Sequence, residues 1–278
     1  MGILVADSGG TKTDWVHLEE NDINYFSGGG LHPAYMTIDQ IADEIESSVP
    51  VTPKRIFFYG AGCHGPGPVE KIEKSIHHVF PGVRVMISDD LTGVARAHLQ
   101  QSTGFIAALG TGSICGRYES GEIVQRSAAM GYAIGDEGSA ADLGRKILKA
   151  YFRDTLDPET AKLTRKRLEN DSYSEWMGRI YTSKRPNKEL AAVAGKVFIE
   201  PLTNQLQDII TLGFLEFIDS QFSTIFTDRG GEVVCTGTVA VAHEELLKKA
   251  FTTRGFEKIT IKENVIEGLA RYHQQEKQ

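Results

Sequence analysis

The sequence predicts an α/β protein built from two related domains. Short apolar runs of strand length alternate along the chain with segments that have amphipathic helical spacing. A pattern of strand, glycine turn and strand occurs near the N-terminus and again about a hundred residues later, as expected for an internal repeat. The 278 residues are more than one compact core needs and suffice for two domains.

The first domain opens with the repeated pattern. Ile3–Ala6 is an apolar run, Ser8-Gly9-Gly10-Thr11 interrupts it, and Asp14–Leu18 alternates as a strand does. The further predicted elements are, in order, a strand, a helix, a strand, a helix, a strand and a helix: Ile23–Phe26, Ile38–Val49, Arg55–Gly60, Pro68–Val79, Val83–Ser88 and Leu91–Gln101. We therefore expect an N-terminal lobe over residues 1–102.

The second domain, residues 103–278, starts with the same pattern. Its first elements are Phe105–Leu109, the turn Gly110-Thr111-Gly112-Ser113, Ile114–Tyr118 and Glu122–Gln125. A helix-rich insert from Asp142 to Asp219 follows, then a strand at Glu232–Cys235 and helices at His243–Phe251 and Glu263–Gln278. The terminal helix is a candidate to cross back to the first lobe. The insert either forms a homodimer interface or covers the lobe, and no residue pattern decides between these roles.

Composition narrows the class of protein. Hydrophobic residues make up 41% and charged residues 24%, the net charge is −7, and Lys and Arg form no run, which argues against a nucleic-acid partner. Neither a signal peptide nor a stretch of roughly 20 apolar residues is visible, so we expect a cytoplasmic protein without a membrane partner. Cys63, Cys115 and Cys235 lie far apart, which disfavours structural zinc and disulfides.

Three glycine-containing turns follow predicted strands and are candidates for binding a nucleotide. The segment Asp7–Thr13 lacks the Walker spacing, but its glycines allow close backbone approach and its N–H groups can form an anion nest for phosphate. Gly110–Ser113 is a second turn of this kind, whereas the small residues of Gly237-Thr238-Val239-Ala240, which precedes a helix, permit close contact by a flat base. Taken singly, each of the first two turns is better explained as an ordinary connection, and the two explanations are even for the third.

Acidic residues stand at similar positions. Asp89 ends a strand and precedes a helix, the place where open α/β sheets bind ligands, and it could accept the proton of an attacking hydroxyl. Asp90 is a rival for this role or a helix cap. Asp7 could hold water around magnesium. Asp136-Glu137 is a second acidic pair, framed by glycines, for which sugar-hydroxyl recognition competes with simple solvation.

Taken in order, these motifs resemble the actin-like ATPase superfamily, and within it the N-acetylglucosamine kinase and BadF/BadG/BcrA/BcrD ATPase group. The resemblance is carried by Asp7–Thr13, Gly28–Pro33, Ser88-Asp89, Gly110–Ser113, Gly135–Ser139 and Gly237–Ala240. It implies two ribonuclease-H-like lobes with ATP and magnesium in the cleft between them, and a helical insert in the second lobe.

The resemblance also implies roles for individual residues. Asp89 falls on the catalytic base, and Asp7 and Asp89 would hold Mg²⁺ through water. The ATP-binding positions are Gly9, Gly10, Thr11, Lys12, Thr13, Gly110, Thr111, Gly112, Ser113, Gly237, Thr238 and Val239. The substrate positions are His32, Met130, Gly131, Asp136 and Glu137. His32 replaces the usual Asn and Ala129-Met130 the usual Gly-Trp, so the substrate is the least determined feature.

The function that this resemblance implies is ATP-dependent phosphorylation of an N-acetylated amino sugar, N-acetylglucosamine or N-acetylmuramic acid, at its 6-hydroxyl. The alternative is an ATPase that activates a radical acyl-CoA dehydratase or reductase, although such activators hold an iron–sulfur cluster through closely spaced cysteines. A non-catalytic sugar sensor is a third hypothesis, disfavoured because Asp7, Asp89 and both glycine turns are intact.

Overall fold

The computed structural model describes residues 2–20, 22–169, 172–226 and 231–275. The chain separates into two compact units. The first comprises Met1–Ser102, Glu119–Ile123 and Asn264–Gln278, and the second comprises Thr103–Tyr118 and Val124–Glu263. Two positions of the predicted insert, Asn170 and Asp171, and the last three of the predicted terminal helix lie outside the described ranges.

The strands, numbered in chain order, are β1 (Ile3–Ser8), β2 (Lys12–Glu19), β3 (Asp22–Gly29), β4 (Arg55–Gly60), β5 (Arg84–Asp89), β6 (Gly104–Leu109), β7 (Ser113–Glu119), β8 (Glu122–Arg126), β9 (Val233–Thr236) and β10 (Ile259–Lys262). The helices are α1 (Ile38–Ser48), α2 (Pro66–Val79), α3 (Asp90–Leu99), α4 (Gly131–Ile134), α5 (Ala140–Phe152), α6 (Pro158–Arg167), α7 (Tyr173–Thr182), α8 (Pro186–Val197), α9 (Asn204–Ser220), α10 (Thr238–Ala242), α11 (Glu244–Thr253) and α12 (Val265–Gln275).

Each unit contains a five-stranded mixed sheet, and the two sheets have the same strand order within the described part of the chain. The first is ordered β3-β2-β1-β4-β5 and the second, read in the same sense, β8-β7-β6-β9-β10. In both, the first strand pairs antiparallel with the second and parallel with the fourth. The predicted α/β class and the internal repeat are thus confirmed.

Local sequence signals explain the first unit's elements. β1 is apolar on both faces and is the central strand, so Leu4 and Ala6 are fully buried. α1 begins with a capping box in which the Thr37 hydroxyl accepts from the Gln40 backbone N–H and the Gln40 side chain accepts from Thr37 N–H. Its buried residues Ile41, Ala42 and Ile45 form one helical stripe against the sheet.

The carboxyl ends of the parallel strands in this sheet are level. Ser8 at the end of β1 pairs with Gly60 at the end of β4, and Gly60 pairs with Asp89 at the end of β5. Because parallel strands end at the same edge of a sheet, the glycine turn after β1 and the carboxylate after β5 belong to one edge.

Helix α12 packs on α3 within the first unit. The helices approach so closely at Gly268 that a Cβ there would lie 2.4 Å from the Ala97 carbonyl oxygen. At the C-terminal end of α12, His273 is fully buried and its Nε2 lies 2.9 Å from the Tyr59 hydroxyl. Arg96 of α3 donates to that hydroxyl at 3.0 Å, so the packing of α12 and α3 is tied to β4.

The second unit packs its helix-rich insert around β6. α5 and α8 cross at Gly144, where no side chain would fit against the Leu190 carbonyl group. The core extends to aromatic residues of α9 and the following 3₁₀ turn, including Phe214, Phe217 and Phe222. Among the described residues, none of the helices is both long and apolar enough to cross a membrane.

Candidate active site

The turn after β1 is fixed by hydroxyl groups. The Ser8 and Thr13 hydroxyl oxygens lie 2.8 Å apart, and the Thr13 hydroxyl donates to the Gly29 carbonyl at 2.8 Å. Gly9 N–H donates to the Lys12 carbonyl at 2.9 Å, which closes the turn. Thr13 is completely buried, so its hydroxyl shapes the turn, whereas Thr11 and Lys12 reach the surface.

The turn after β1 packs directly against Gly30. A Cβ at Gly30 would lie 2.4 Å from Thr11 N and 2.5 Å from Gly9 O, so only glycine permits this approach. The Lys12 ammonium pairs with Asp14 Oδ1 at 2.7 Å and its side chain is 63% exposed. The predicted phosphate turn is therefore preorganised in its backbone, and the exposed Lys12 ammonium lies at its surface.

Asp7 interacts with the carboxylates of Asp90 and Asp14. The pKa of Asp7 is raised to about 7, first by burial and then by the negative charges of Asp90 and Asp14, which outweigh the opposing effect of Lys12. The pKa of Asp90 is raised as well, first by burial and then by the charge of Asp89. The nearby positive groups, Lys12 for Asp7 and His64 for Asp90, only partly offset the repulsion among these carboxylates.

The same acidic residues fit a magnesium ion held mainly through water. No group of three or more His, Cys, Asp or Glu side chains within the described ranges is arranged to ligate a metal directly. Mg²⁺ commonly binds with one or two carboxylates, several waters and substrate phosphate oxygens, so direct ligation by three side chains is not required. A divalent cation would also relieve the repulsion that raises the pKa of Asp7.

Asp89 is the N-cap of α3. Its Oδ1 accepts hydrogen bonds from the Thr92 backbone N–H at 2.9 Å and from the Thr92 hydroxyl at 3.2 Å. The expectation that Asp90 could cap this helix is corrected, because Asp90 is already the first helical residue and its Oδ1 contacts Leu91 N–H. The cap to Thr92 holds the Oδ1 atom of Asp89 at the start of α3.

His64 faces the second oxygen of Asp89 and was not predicted from the sequence. Its Nδ1 lies 3.9 Å from Asp89 Oδ2, with the His64 side chain 43% exposed and that of Asp89 13% exposed. The loop after β4 that carries His64 also contains Gly62, which has a φ of +78°. The signal available in the sequence was a histidine just beyond a parallel strand, at the edge where Asp89 also lies.

His32 borders the same loop. Its ring lies directly over Gly62, so that a Cβ there would approach the His32 ring to 2.6 Å. The ring also contacts Tyr35, with ring centroids 4.6 Å apart, and its Nδ1 accepts from Ala34 N–H at 3.2 Å. The first unit thus brings His32, His64 and Asp89 to one loop cluster.

In the second unit, the turn Gly110–Ser113 is anchored to the start of α5. Ala140 N–H donates to the Gly110 carbonyl at 2.8 Å and Ala141 N–H to the Thr111 carbonyl at 3.2 Å. Gly110 N–H donates to the Gly112 carbonyl at 2.9 Å, which gives this turn a tight closure of its own.

Asp136 lies against this glycine turn. Its Oδ1 accepts from Ser113 N–H at 3.3 Å, and a Cβ at Gly112 would contact its carboxylate at 3.0 Å. Asp136 has a left-handed backbone, with a φ of +59°. Burial raises the pKa of Asp136, which the Ser113 hydrogen bond partly offsets, and the neighbouring Glu137 adds to the rise.

Glu137 is held inside the unit by a residue that the sequence did not single out. Gln221 Nε2 donates to Glu137 Oε2 at 2.7 Å and to the Ser113 hydroxyl at 3.0 Å, and that hydroxyl donates to the Glu137 carbonyl at 2.8 Å. Gln221 is buried and comes from the chain after α9, so no local pattern links it to Ser113. It locks the acidic pair to the glycine turn.

The predicted substrate positions Met130 and Gly131 lie at the start of α4. Met130 is 51% exposed and Gly131 has a φ of +71°. The large exposed apolar side chain of Met130 is available to a ligand on this side of the unit.

The loop after β9 touches the second glycine turn. Gly237 has a φ of +100°, and a Cβ there would lie 2.4 Å from the Leu109 carbonyl oxygen and 3.1 Å from Gly110 N. Thr238 is exposed at the start of α10, whereas Val239 is only 6% exposed and packs in the core. Of the three predicted adenosine contacts, Gly237 and Thr238 lie at the surface beside Gly110.

Comparisons with known proteins agree with this fold and with the resemblance read from the motifs. The chain has the two-sheet α/β fold of the actin-like ATPases, although no family model matches it. A candidate N-acetylglucosamine kinase from Porphyromonas gingivalis superposes with a TM-score of 0.91 over 99% of this chain and 100% of that one, at 25% identity. A second, from Chromobacterium violaceum, has a TM-score of 0.77 at 19% identity and covers 98% of both chains.

A curated relative carries a named activity. The N-acetylmuramic acid/N-acetylglucosamine kinase of Clostridium acetobutylicum is 32% identical over 119 residues. The matched segment covers 40% of this chain and 37% of that kinase. The predicted likeness to amino-sugar kinases is thereby confirmed as a likeness in sequence and fold.

Proposed function

We propose that this protein is an ATP-dependent kinase that phosphorylates an N-acetylated amino sugar at its 6-hydroxyl. The observation that carries the proposal is the position of Asp89, a carboxylate level with the β1 turn at the carboxyl edge of the first sheet. Its cap to Thr92 fixes the side chain through Oδ1, and Oδ2 lies 3.9 Å from His64 Nδ1. This is the arrangement expected of a general base for a substrate hydroxyl.

The two glycine turns are proposed to bind the phosphates of ATP. Gly9–Thr13 in the first unit and Gly110–Ser113 in the second are both closed by an internal backbone hydrogen bond. Such turns can present N–H groups to phosphate oxygens without a further entropic cost of ordering. Gly237 and Thr238, which adjoin Gly110, are proposed to receive the adenosine.

Magnesium is proposed to bind near Asp7 and Asp89 through water. The ion would neutralise charge on the phosphates and balance the carboxylates that raise the pKa of Asp7. Asp7 is the penultimate residue of β1, and its main chain is fixed on both sides by β2 and β4.

The reaction follows from these positions. The sugar hydroxyl oxygen forms a bond to the γ-phosphorus of ATP, the bond from that phosphorus to the bridging oxygen of ADP breaks, and Asp89 takes the hydroxyl proton. The products are a sugar 6-phosphate and ADP. Asp136, Glu137, His32, Met130 and Gly131 are proposed to contact the sugar.

The substrate class rests on the named activity of the Clostridium relative. N-acetylglucosamine and N-acetylmuramic acid both present a 6-hydroxyl and an N-acetyl group. The alternative, an ATPase activator of a radical enzyme, requires closely spaced cysteines at the surface. Cys63, Cys115 and Cys235 are all buried, and Cys63 belongs to a different unit from the other two.

The decisive assay is ADP release with ATP and magnesium against N-acetylglucosamine, N-acetylmuramic acid, glucosamine and glucose. We expect one of the two N-acetylated sugars to stimulate release strongly, with ³¹P and ¹H NMR locating phosphate on the 6-oxygen. Strong preference for glucose would overturn the amino-sugar assignment. ATP hydrolysis that no sugar stimulates would remove the kinase proposal and favour the activator.

A further inference from the structure

A groove of about 600 Å³ lies in the second unit, and none of the residues assigned to ATP or sugar lines it. It runs along α5 and α7 and reaches the start of α8. Cavities of roughly 300–1,000 Å³ are the size that holds a small organic ligand. The groove is therefore large enough for a separate binding site.

One side of the groove is a row of cations on α5. Arg145, Lys149 and Arg153 follow one another at intervals of four residues, which places them along one face of the helix over about 12 Å. Arg145 is committed to Asp142, 2.8 Å from its guanidinium. Among the described residues, the side chains of Lys149 and Arg153 form neither an ion pair nor a hydrogen bond, and both are exposed.

The opposite side is apolar and aromatic. Tyr173, Met177 and Tyr181 lie on α7 at the same four-residue spacing. Tyr173 is 61% exposed and Tyr181 82% exposed, although large aromatic side chains usually bury most of their surface. An apolar wall facing these cations is suited to a ligand that has both an apolar body and a negative charge.

The charge of the residues that line the groove indicates the class of ligand. The groove has three cationic residues and no Asp or Glu among the residues that line it, in a chain with a net charge of −7. We propose that this groove binds a small amphipathic organic anion, with its aromatic or aliphatic body on α7 and its carboxylate, phosphate or sulfonate at Lys149 and Arg153. None of the lining residues is among those proposed to contact ATP or sugar, and this proposal does not depend on the proposed function.

The test uses 1-anilinonaphthalene-8-sulfonate as the probe, because it combines an aromatic body with one anionic group. Fluorescence titration of the full chain is expected to give one saturable site. The double variant Lys149→Gln/Arg153→Gln should bind this dye about tenfold more weakly, since charge-assisted contacts are lost. The same variant should bind the uncharged analogue N-phenyl-1-naphthylamine as the unchanged protein does.

The matched control is Lys162→Gln/Lys166→Gln, which removes the same charge from exposed positions of α6 outside the groove. This control should leave the affinity for the anionic dye within about twofold, as expected for screened charges at a distance. Equal loss in both double variants, or no loss in the groove variant, would overturn the proposal. Thermal melts of all three proteins verify that each is folded, and Tyr181→Ala should weaken both dyes.

Discussion

Asp89 is both the N-cap of α3 and the proposed general base, and its replacement with Asn tests these two roles separately. Asn and Asp are about equally good N-caps, so the substituted side chain should still accept the hydrogen bond from Thr92 N–H that now measures 2.9 Å. The negative charge at the start of α3 is lost, which costs about 0.3–1 kcal/mol through the helix dipole. Relief of the repulsion on Asp90 offsets part of that cost. The free energy of unfolding of the variant should therefore lie within about 1 kcal/mol of that of the unchanged protein.

Catalysis should respond far more strongly. An amide cannot accept the hydroxyl proton, and general-base catalysis contributes about 10²–10⁴ to the rate. This corresponds to about 2.7–5.4 kcal/mol in the activation barrier, well above the expected change in stability. The informative variant is Asn rather than Ala, because Ala would also remove the cap at a cost of about 1 kcal/mol.

The assay measures kcat for ADP release with the preferred sugar, together with ATP affinity by calorimetry and unfolding by urea. We expect kcat to fall at least a hundredfold or so while ATP affinity changes little. Asp90→Asn is the matched control at the adjacent position. Turnover near the original value in Asp89→Asn, with a large loss in Asp90→Asn, would refute the assignment of the base.

Three further substitutions probe the remaining groups. His32→Ala removes a ring that contacts Gly62 and Tyr35; we expect the sugar KM to rise severalfold with little change in the ATP KM, and an effect on ATP alone would exclude this placement. Gly237 has a φ of +100°, and Gly237→Ala puts a methyl group 2.4 Å from the Leu109 carbonyl oxygen. The substitution should lower the free energy of unfolding in urea by more than about 1 kcal/mol and weaken ATP binding. Unchanged values would contradict the role of this loop. Asp7→Asn removes a carboxyl with a folded pKa of about 7, raised above its unfolded value. Between about pH 4 and about pH 7 the folded form therefore binds more protons than the unfolded form, and the stability of the original protein falls as pH rises. The Asn variant lacks this loss, so in EDTA its Tm should gain on that of the original protein across this range. A constant difference between the two Tm values would disprove the shift.

Most of the strands were predictable because their signals are local, but β10 (Ile259–Lys262) was not predicted. Ile3–Ser8 is an apolar run closed by a glycine turn, and the same pattern at Gly104–Leu109 indicated the repeat. The short helices α4 and α10 were not predicted as separate elements, since four or five residues carry too little periodicity. The cap of α3 was misplaced by one residue, because capping depends on backbone angles that differ between Asp89 and Asp90.

Parts of the candidate site were beyond the reach of sequence patterns. Gln221 reaches Ser113 across 108 positions of sequence, and His64 meets Asp89 only because β4 and β5 are neighbours in the sheet. Motifs identified the groups that could do chemistry, but the side chains that hold those groups come from distant segments. Such partners become visible only when the chain is folded.

The surroundings of the Asp136 carboxylate favour an additional hydrogen-bond donor. Its carboxylate has one long hydrogen bond, 3.3 Å from Ser113 N, and burial together with Glu137 raises its pKa. A carboxylate in this state gains from any further N–H or O–H donor, because hydrogen bonds to the charged form favour ionisation. Sugar hydroxyls are such donors. The backbone at Asp136 is left-handed, with a φ of +59°, and the carboxylate lies beside Gly112. This arrangement supports the proposal that Asp136 contacts sugar hydroxyls.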